Sequence, residues 1–287
     1  MSKIYILYNP IAGGRRHEND VAELAERLGG AQIKNMLEIG DYHELFTELD
    51  PEDEVILSGG DGTINKFIND VRGISLPKKL YYYALGSGND FLRDIEADKS
   101  ELVELNKYIE NLPLVTVDGV EYTFLNGVGY GIDGYCCAVG DEQRFSSDKP
   151  VNYTSIAIKG LLFHYKPTNA TVIVDGKEYK FKKVWLAPTM NGRYYGGGMM
   201  PAPNQHRLAR TRELSVMVMH GTGKLRTLMI FPSLFKGEHL KHKKKVSLLT
   251  GKTITVRFDR PKDLQIDGET IRNVTEYTAS VAALATV

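Results

Sequence analysis

Three short apolar runs, Ile4 to Tyr8, Val55 to Leu57 and Leu80 to Leu85, each break into a loop carrying glycines: "YNPIAGGRR", "SGGDGT" and "ALGSGND". Runs of this length with no polar alternation read as strands buried on both faces of a parallel sheet. A further strand is expected at residues 32–37. Between the strands, residues 18–28 place Val21, Ala22, Leu24, Ala25 and Leu28 at helical spacing. "DYHE" at 41–44 has the form of a capping box opening a short helix, and helices are expected at 65–71 and 99–111. Such alternation predicts an α/β domain with helices on both faces of a parallel sheet. In an open parallel sheet ligands bind where the strands end, so the three loops should gather on one edge. Backbone N–H groups of a tight loop and of the following helix make an anion site, and glycine lets phosphate oxygens come close to the backbone. Asp61 stands out, because a carboxylate repels phosphate unless a cation such as Mg²⁺ lies between. A surface turn capped by Asp61 or Thr63 also fits this loop taken alone; three such loops together favour phosphate.

Beyond about residue 120 the pattern changes. "TVIVDGKEYKF" at 171–181 reads as two strands about an Asp-Gly turn. "ELSVMVM", "KTITVRF" and "DLQID" are further strand candidates, interrupted by helical segments near 153–165 and 224–235. The expected organisation is an α/β domain over 1–118 and a β-rich antiparallel domain over 119–287, with the final residues returning to pack on the first domain.

Charge and cysteine content narrow the function. The 287 residues carry 36 Lys and Arg against 36 Asp and Glu, so no bulk field draws the chain to nucleic acid. Cys136 and Cys137 are adjacent, a poor geometry for a disulfide, and read as free thiols in a reducing compartment. No Cys or Cys-His cluster has zinc-ligand spacing, and His239 and His242 read as solvated. No run is long and uncharged enough for a signal peptide or a spanning helix, so a cytoplasmic protein is expected, with peripheral contact at the inner membrane face. G-x-x-x-x-G-K-[ST], a G-x-G-x-x-G after the first strand and G-x-S-x-G are all absent.

"NPIAGG", "GGDGTIN" and "LGSGNDFLRD", in this order and spacing, resemble the catalytic domain of the diacylglycerol kinase and sphingosine kinase family, and the bacterial soluble lipid kinases are closest in length. "FLNGVGYGIDG" at 124–134, "GGGMMPAPN" at 196–204 and "QIDGET" at 265–270 extend the resemblance over nearly the whole chain. It implies an N-terminal domain of the NAD-kinase and diacylglycerol-kinase type, a C-terminal antiparallel β-sandwich, and an ATP- and Mg²⁺-dependent lipid kinase. The implied nucleotide contacts are Asn9, Pro10, Ile11, Ala12, Gly13 and Gly14, then Ser58, Gly59, Gly60, Asp61, Gly62, Thr63 and Ile64, then Ser87 and Asn89. Arg15 and Arg93 are implied to meet phosphate. Asp61, Asp90 and Asp118 are implied as an acidic set near the magnesium. Glu269 is the implied general base, taking the proton of a lipid hydroxyl, with Asp61 the other implied catalytic residue. Read without the resemblance, "DGE" is a hairpin turn.

Two positions depart from the family pattern. Its Asp-Gly-x-Leu, a few residues after "AP", falls here on Thr211 and Arg212 before Leu214, and the glutamate that often follows GGDGTxN is Lys66. Thr211 and Arg212 put the second domain's metal site in doubt. The expected partner is a lipid substrate met at a membrane surface, with no nucleic acid; a homodimer is left open, since the sequence does not identify the oligomeric state. The segment 224–246, apolar and then rich in lysine (Lys241, Lys243, Lys244, Lys245), is the candidate membrane contact; a core helix followed by a solvated basic loop fits it equally well. The alternative functions are a kinase for a soluble alcohol such as NAD, and a weakened member that binds nucleotide or lipid as a regulator.

Overall fold

The structure is a computed structural model and describes residues 2–10, 17–85, 89–146 and 153–282. The chain divides into two compact units, Met1–Leu112 and Pro113–Val287.

The first unit alternates strand and helix: β1 Ile4–Tyr8, α1 His17–Arg27, β2 Gln32–Asn35, α2 Tyr42–Thr47, β3 Glu54–Gly59, α3 Asp61–Asp70, β4 Leu80–Ala84, α4 Asp90–Ile95, β5 Val103–Glu104 and α5 Asn106–Ile109. Among the described residues the sheet runs β2-β1-β3-β4-β5, parallel throughout except for β5. The central strands are buried along nearly their whole length, as two covered faces require. Ile6 and Ile56 pack against Val21, Leu24 and Ala25 of α1. Phe67 of α3 meets the Tyr42 ring of α2 edge-on at 5.7 Å.

Two expected elements differ. The helix expected at 99–111 is a short antiparallel strand followed by a single helical turn. Val103 and Leu105 are buried while Leu102 is 40% exposed, and Leu105 N–H bonds to the Leu80 carbonyl, so sheet pairing takes residues that helical spacing also fits. The helix expected from residue 65 begins at Asp61, inside the glycine loop.

The second unit comprises β6 Leu114–Val117, β7 Val120–Thr123, β8 Gly127–Tyr130, α6 Ile132–Ser146, α7 Tyr153–Lys159, a π turn at Gly160–His164, β9 Thr168–Val174, β10 Lys177–Val184, β11 Thr189–Met190, β12 Leu214–Met219, α8 Lys224–Ile230, β13 Val246–Gly251, β14 Thr253–Ile266 and β15 Glu269–Ser280, with 3-10 turns at Phe231–Lys236 and Glu238–Lys241. All its described pairings are antiparallel. The long strand β14 shifts register between Arg257 and Lys262 and again before Leu264, so that its first half pairs with β9 and its second with β8. Side chains of both halves, with β6, β12 and β15, enclose one apolar core.

The division after Leu112 places residues 113–118 with the second unit. Strand β6 belongs there because it pairs with β15, Val117 opposite Tyr277. The expected boundary at 118/119 falls inside the β6–β7 hairpin. The chain end, as far as Ser280, is a strand of this second sheet. His239, expected to be solvated, is fully buried and hydrogen-bonded to the Pro201 carbonyl at 3.0 Å. Neither Cys136 nor Cys137 is in a disulfide.

Candidate functional site

The carboxyl ends of β1, β3 and β4 stand side by side: Tyr8 is level with Ser58, Ser58 with Tyr83, and Gly59 with Ala84. The loops bearing Asn9 and Pro10, Gly60 to Gly62, and Asn89 and Asp90 therefore leave the same sheet edge. Ile11, Ala12, Gly13, Gly14, Arg15 and Ser87 lie outside the described residues.

The central loop is a strand running directly into a helix. Gly60 is the cap of α3 with no side chain to satisfy the first N–H groups, and its carbonyl accepts from Thr63 and Ile64. The free N–H groups of such a terminus suit an anion. The two adjacent hydroxyls, Ser58 and Thr63, are 0% and 1% exposed, and among the described residues neither has a hydrogen-bond partner. Buried hydroxyls normally find partners; these two are closed to solvent, and Thr63 packs against Gly59.

The glycines of this loop serve different ends. A Cβ on Gly59 would overlap the Thr63 side chain, so Gly59 is required by the packing of α3 on its own strand. A Cβ on Gly62 would meet nothing within 4 Å. Gly62 also sits inside a helix, where alanine is better by roughly 1 kcal/mol. The fold gives no reason for glycine at 62; close approach of a ligand does.

Asp61 has a structural task that the sequence did not reveal. Its carboxylate accepts the N–H of Asp90 at 2.7 Å and of Phe91 at 3.2 Å, capping α4 from another loop. Tyr82 ties the same corner: its hydroxyl donates to the Gly59 carbonyl at 2.7 Å and lies 2.9 Å from the Asn89 side-chain oxygen. Asp90 is buried, with the Arg93 guanidinium 3.8 Å away. Asp118 is the turn residue of the β6–β7 hairpin in the second unit, at φ 49°. Among the described residues no three His, Cys, Asp or Glu side chains are grouped to hold a metal; Asp61 and Asp90 belong to the first unit and Asp118 to the second.

In the second unit the hairpin β14–β15 carries Asp267, Gly268 and Glu269. Asp267 and Gly268 both have positive φ, 47° and 101°, the two-residue turn that Asp-Gly favours. The Asp267 carboxylate accepts backbone N–H from Leu125, from Asn126 at 2.8 Å and from Gly127 at 2.9 Å. Arg207 donates to the Leu125 carbonyl at 3.2 Å and to the Asn126 side-chain oxygen at 2.9 Å, and Asn191 donates to the Leu125 carbonyl at 2.8 Å. "FLNG" and "DGE", far apart in sequence, are thus one assembly. Glu269, next along, is exposed.

Residues 3–120 match the diacylglycerol kinase catalytic domain, and residues 126–285 match the YegS C-terminal NAD kinase beta sandwich-like domain. The chain belongs to the diacylglycerol kinase family. It is a phosphotransferase with an alcohol acceptor, of the lipid kinase type. It is similar to the diacylglycerol kinase of Mycobacterium tuberculosis H37Rv, 24% identical over 273 residues, covering 89% of this chain and 85% of the relative. It also resembles the diacylglycerol kinase of Bacillus subtilis 168, 21% identical with 94% and 90% covered. A crystal structure of a diacylglycerol kinase from Bacillus anthracis Sterne shares the fold: TM-score 0.60, 18% identity, 100% of this chain and 98% of that one.

The family's departures have local explanations here. Lys66 forms an ion pair with Asp70 one turn along α3, at 2.7 Å. Arg212 sits at φ 45°, a conformation natural to glycine and strained for arginine. Thr211 supplies no carboxylate.

Asp133, in "GIDG", is a residue whose chemistry sequence reading passed over. It lies on the first turn of α6, fully enclosed, and accepts the Tyr195 hydroxyl. Burial pushes its carboxyl up to about 7, against the opposing pull of the Tyr195 hydrogen bond. The unfolded chain gives up this proton near pH 4, the folded one only near 7. The folded state therefore loses stability as pH rises through that window, on the order of 1.4 kcal/mol per unit at most. Urea unfolding at pH 5 and pH 8 should show this loss, and Asp133→Asn should remove it. An unchanged slope in the variant would place the titration elsewhere.

Proposed function

We propose that this chain is an ATP-dependent lipid kinase that phosphorylates a hydroxyl of diacylglycerol or a related amphiphile. The observation that carries the proposal is the β3–α3 loop, where the N-terminus of α3 is capped by Gly60 without a side chain and the flank of Gly62 is open, so that an anion can approach the backbone. Phosphoryl transfer needs chiefly positioning and charge stabilisation. The loop N–H groups supply donors for phosphate oxygens, and Asp61 holds the neighbouring loop in register. Magnesium bound with the nucleotide would neutralise charge developing on the phosphates. Asp61 fits as its partner, being a carboxylate placed at the head of α3 beside the loop N–H groups. Glu269, exposed and at the head of a strand fixed by Asp267, is the proposed base for the lipid hydroxyl.

A lipid acceptor calls for a membrane face, and we place it on α7, α8 and their adjoining turns. Phe163, Leu225 and Met229 are 71%, 73% and 74% exposed. The two segments touch, Lys224 donating to the Leu162 carbonyl at 2.7 Å. Residues 153–166 and 220–246 carry nine lysines and arginines against the single carboxylate Glu238, in a chain of zero net charge. Lys241, Lys243 and Lys244 are exposed; Lys241 is paired with Glu238 and Lys245 donates to the Gly221 carbonyl, while Lys243 and Lys244 have no partner among the described residues. Among the described residues no helix is long and apolar enough to cross a membrane. The second reading, a weakened member that binds without turnover, rests on Thr211 and Arg212.

Incubation with labelled ATP and diacylglycerol in anionic vesicles, beside NAD in solution, tests the proposal. Labelled lipid phosphate is expected. Labelled NAD alone would overturn the lipid assignment, and bound ATP with no product would favour the second reading. Gly62→Ala should weaken ATP binding by about tenfold or more with the melting temperature unchanged or raised, since an alanine inside a helix is worth roughly 0.5–1 kcal/mol. Gly59→Ala should lower stability through its clash with Thr63. Wild-type ATP affinity in Gly62→Ala would remove the loop from the nucleotide site.

A further inference from the structure

A cavity of about 310 Å³ opens within the second unit, apart from the "FLNG"–"DGE" assembly. It is bounded by His164 at the end of the π turn with Tyr165 and Lys166 after it, Lys262 and Asp263 of β14, and Asn273 of β15. We propose that it binds a phosphate-bearing anion, either a soluble phosphate ester or a phospholipid headgroup.

The chain is irregular here in a concerted way. Both register shifts of β14 flank Lys262, and Asn273 opposite them takes φ 61°. Such bulges re-aim a side chain at the expense of ladder hydrogen bonds. What they aim is an ammonium: Lys262 Nζ lies 4.8 Å from the centre of the Tyr165 ring. No carboxylate is within ion-pair distance of it among the described residues; Asp263, adjacent in sequence, instead accepts the Asn273 N–H at 3.3 Å. Burial holds the Lys262 ammonium below its usual range, with Arg260 adding to the effect. A partly desolvated cation facing a cavity gains most from an anion that replaces its lost water. His164 and Lys166 stand at the rim as further donors, against the single carboxylate Asp263. The volume lies at the lower end of small-ligand pockets and suits a phosphate ester rather than a nucleotide. Asp263 and Asp259 partly offset the burial of Lys262, without either forming an ion pair with it among the described residues. This site is independent of the kinase assignment.

The full chain and its Lys262→Met variant, which keeps an apolar stem over Tyr165, would be titrated with glycerol 3-phosphate and with glycerol by calorimetry. Lysine ε-carbon NMR of the same samples reports on Lys262 directly. The expected result is saturable millimolar binding of the phosphate ester alone, movement of the Lys262 signal, and about tenfold weaker binding in the variant, in keeping with one charge-assisted contact. Flotation with phosphatidylcholine vesicles, with and without phosphatidic acid, separates the sources. A Lys262-dependent gain from phosphatidic acid identifies a headgroup site, and binding of the soluble ester without that gain identifies a metabolite site. Absence of binding in both arms, or equal affinity in Lys262→Met, would overturn the proposal.

Discussion

Asp267→Ala is expected to destabilise the second unit by roughly 3–5 kcal/mol, because three backbone N–H groups lose a carboxylate at once. Leu125 and Asn126 are 0% and 3% exposed, so water cannot easily take over as acceptor. At about 2–4 °C per kcal/mol for a unit of this size, the melting temperature should fall by roughly 10 °C. Glu269→Gln, two residues away, is expected to do the opposite: stability within about 0.5 kcal/mol of wild type, as for an exposed side chain, and phosphoryl transfer reduced by about a hundredfold or more through loss of the proposed base. Calorimetric melting beside a lipid-phosphorylation assay reads both. Equal melting temperatures for Asp267→Ala and the wild type would contradict the hydrogen bonds, and wild-type turnover in Glu269→Gln would assign the base elsewhere.

Asp61 combines the two roles in one side chain. Asp61→Ala should cost about 1–3 kcal/mol, the range for losing a cap and a charged acceptor, and should abolish turnover. Asp61→Asn keeps one oxygen for the N–H groups of Asp90 and Phe91, so most of the stability should return while turnover stays lost. Hydrogen exchange at Asp90 and Phe91 monitors the cap directly. Turnover restored together with the cap in Asp61→Asn would mean that the carboxylate acts only by holding α4, with no part in charge stabilisation.

The first unit was legible because its strands are continuous apolar runs and its glycine loops mark the strand ends. The exceptions have physical causes. Residues 103–105 alternate in burial, but the stretch is short enough for helical spacing to fit it too. Helix α6 escaped detection because Gly134 interrupts its pattern; a Cβ there would overlap the Asp263 carbonyl of β14, so the residue that lets the helix pack also hides it. His239 looked solvated among lysines, yet its ring is turned inward to the Pro201 carbonyl. In the site, the Asp-Gly of "QIDGET" was correctly read as a turn, but no local signal could show that its carboxylate reaches residues 125–127. Likewise the "GGDGT" aspartate reads as a ligand group until its two backbone partners on α4 are seen. Partnerships of this kind depend on tertiary distance, which sequence spacing does not encode.

The Asp267 clasp also imposes an order in time. Its partners lie 140 to 142 residues earlier in the chain, and β8 finds its neighbour β14 at similar separation. Contacts of such range are formed late, after the entropy of closing a long loop has been overcome. On a ribosome, the "FLNG" segment emerges and must wait, its N–H groups facing water, while some 140 further residues are made. The first unit, whose β1, β3 and β4 pair over much shorter stretches, can assemble during that interval. The second unit therefore passes through a stage in which β8 is an unpaired edge, and it is in this stage that the nascent chain is most exposed to aggregation and to chaperone capture.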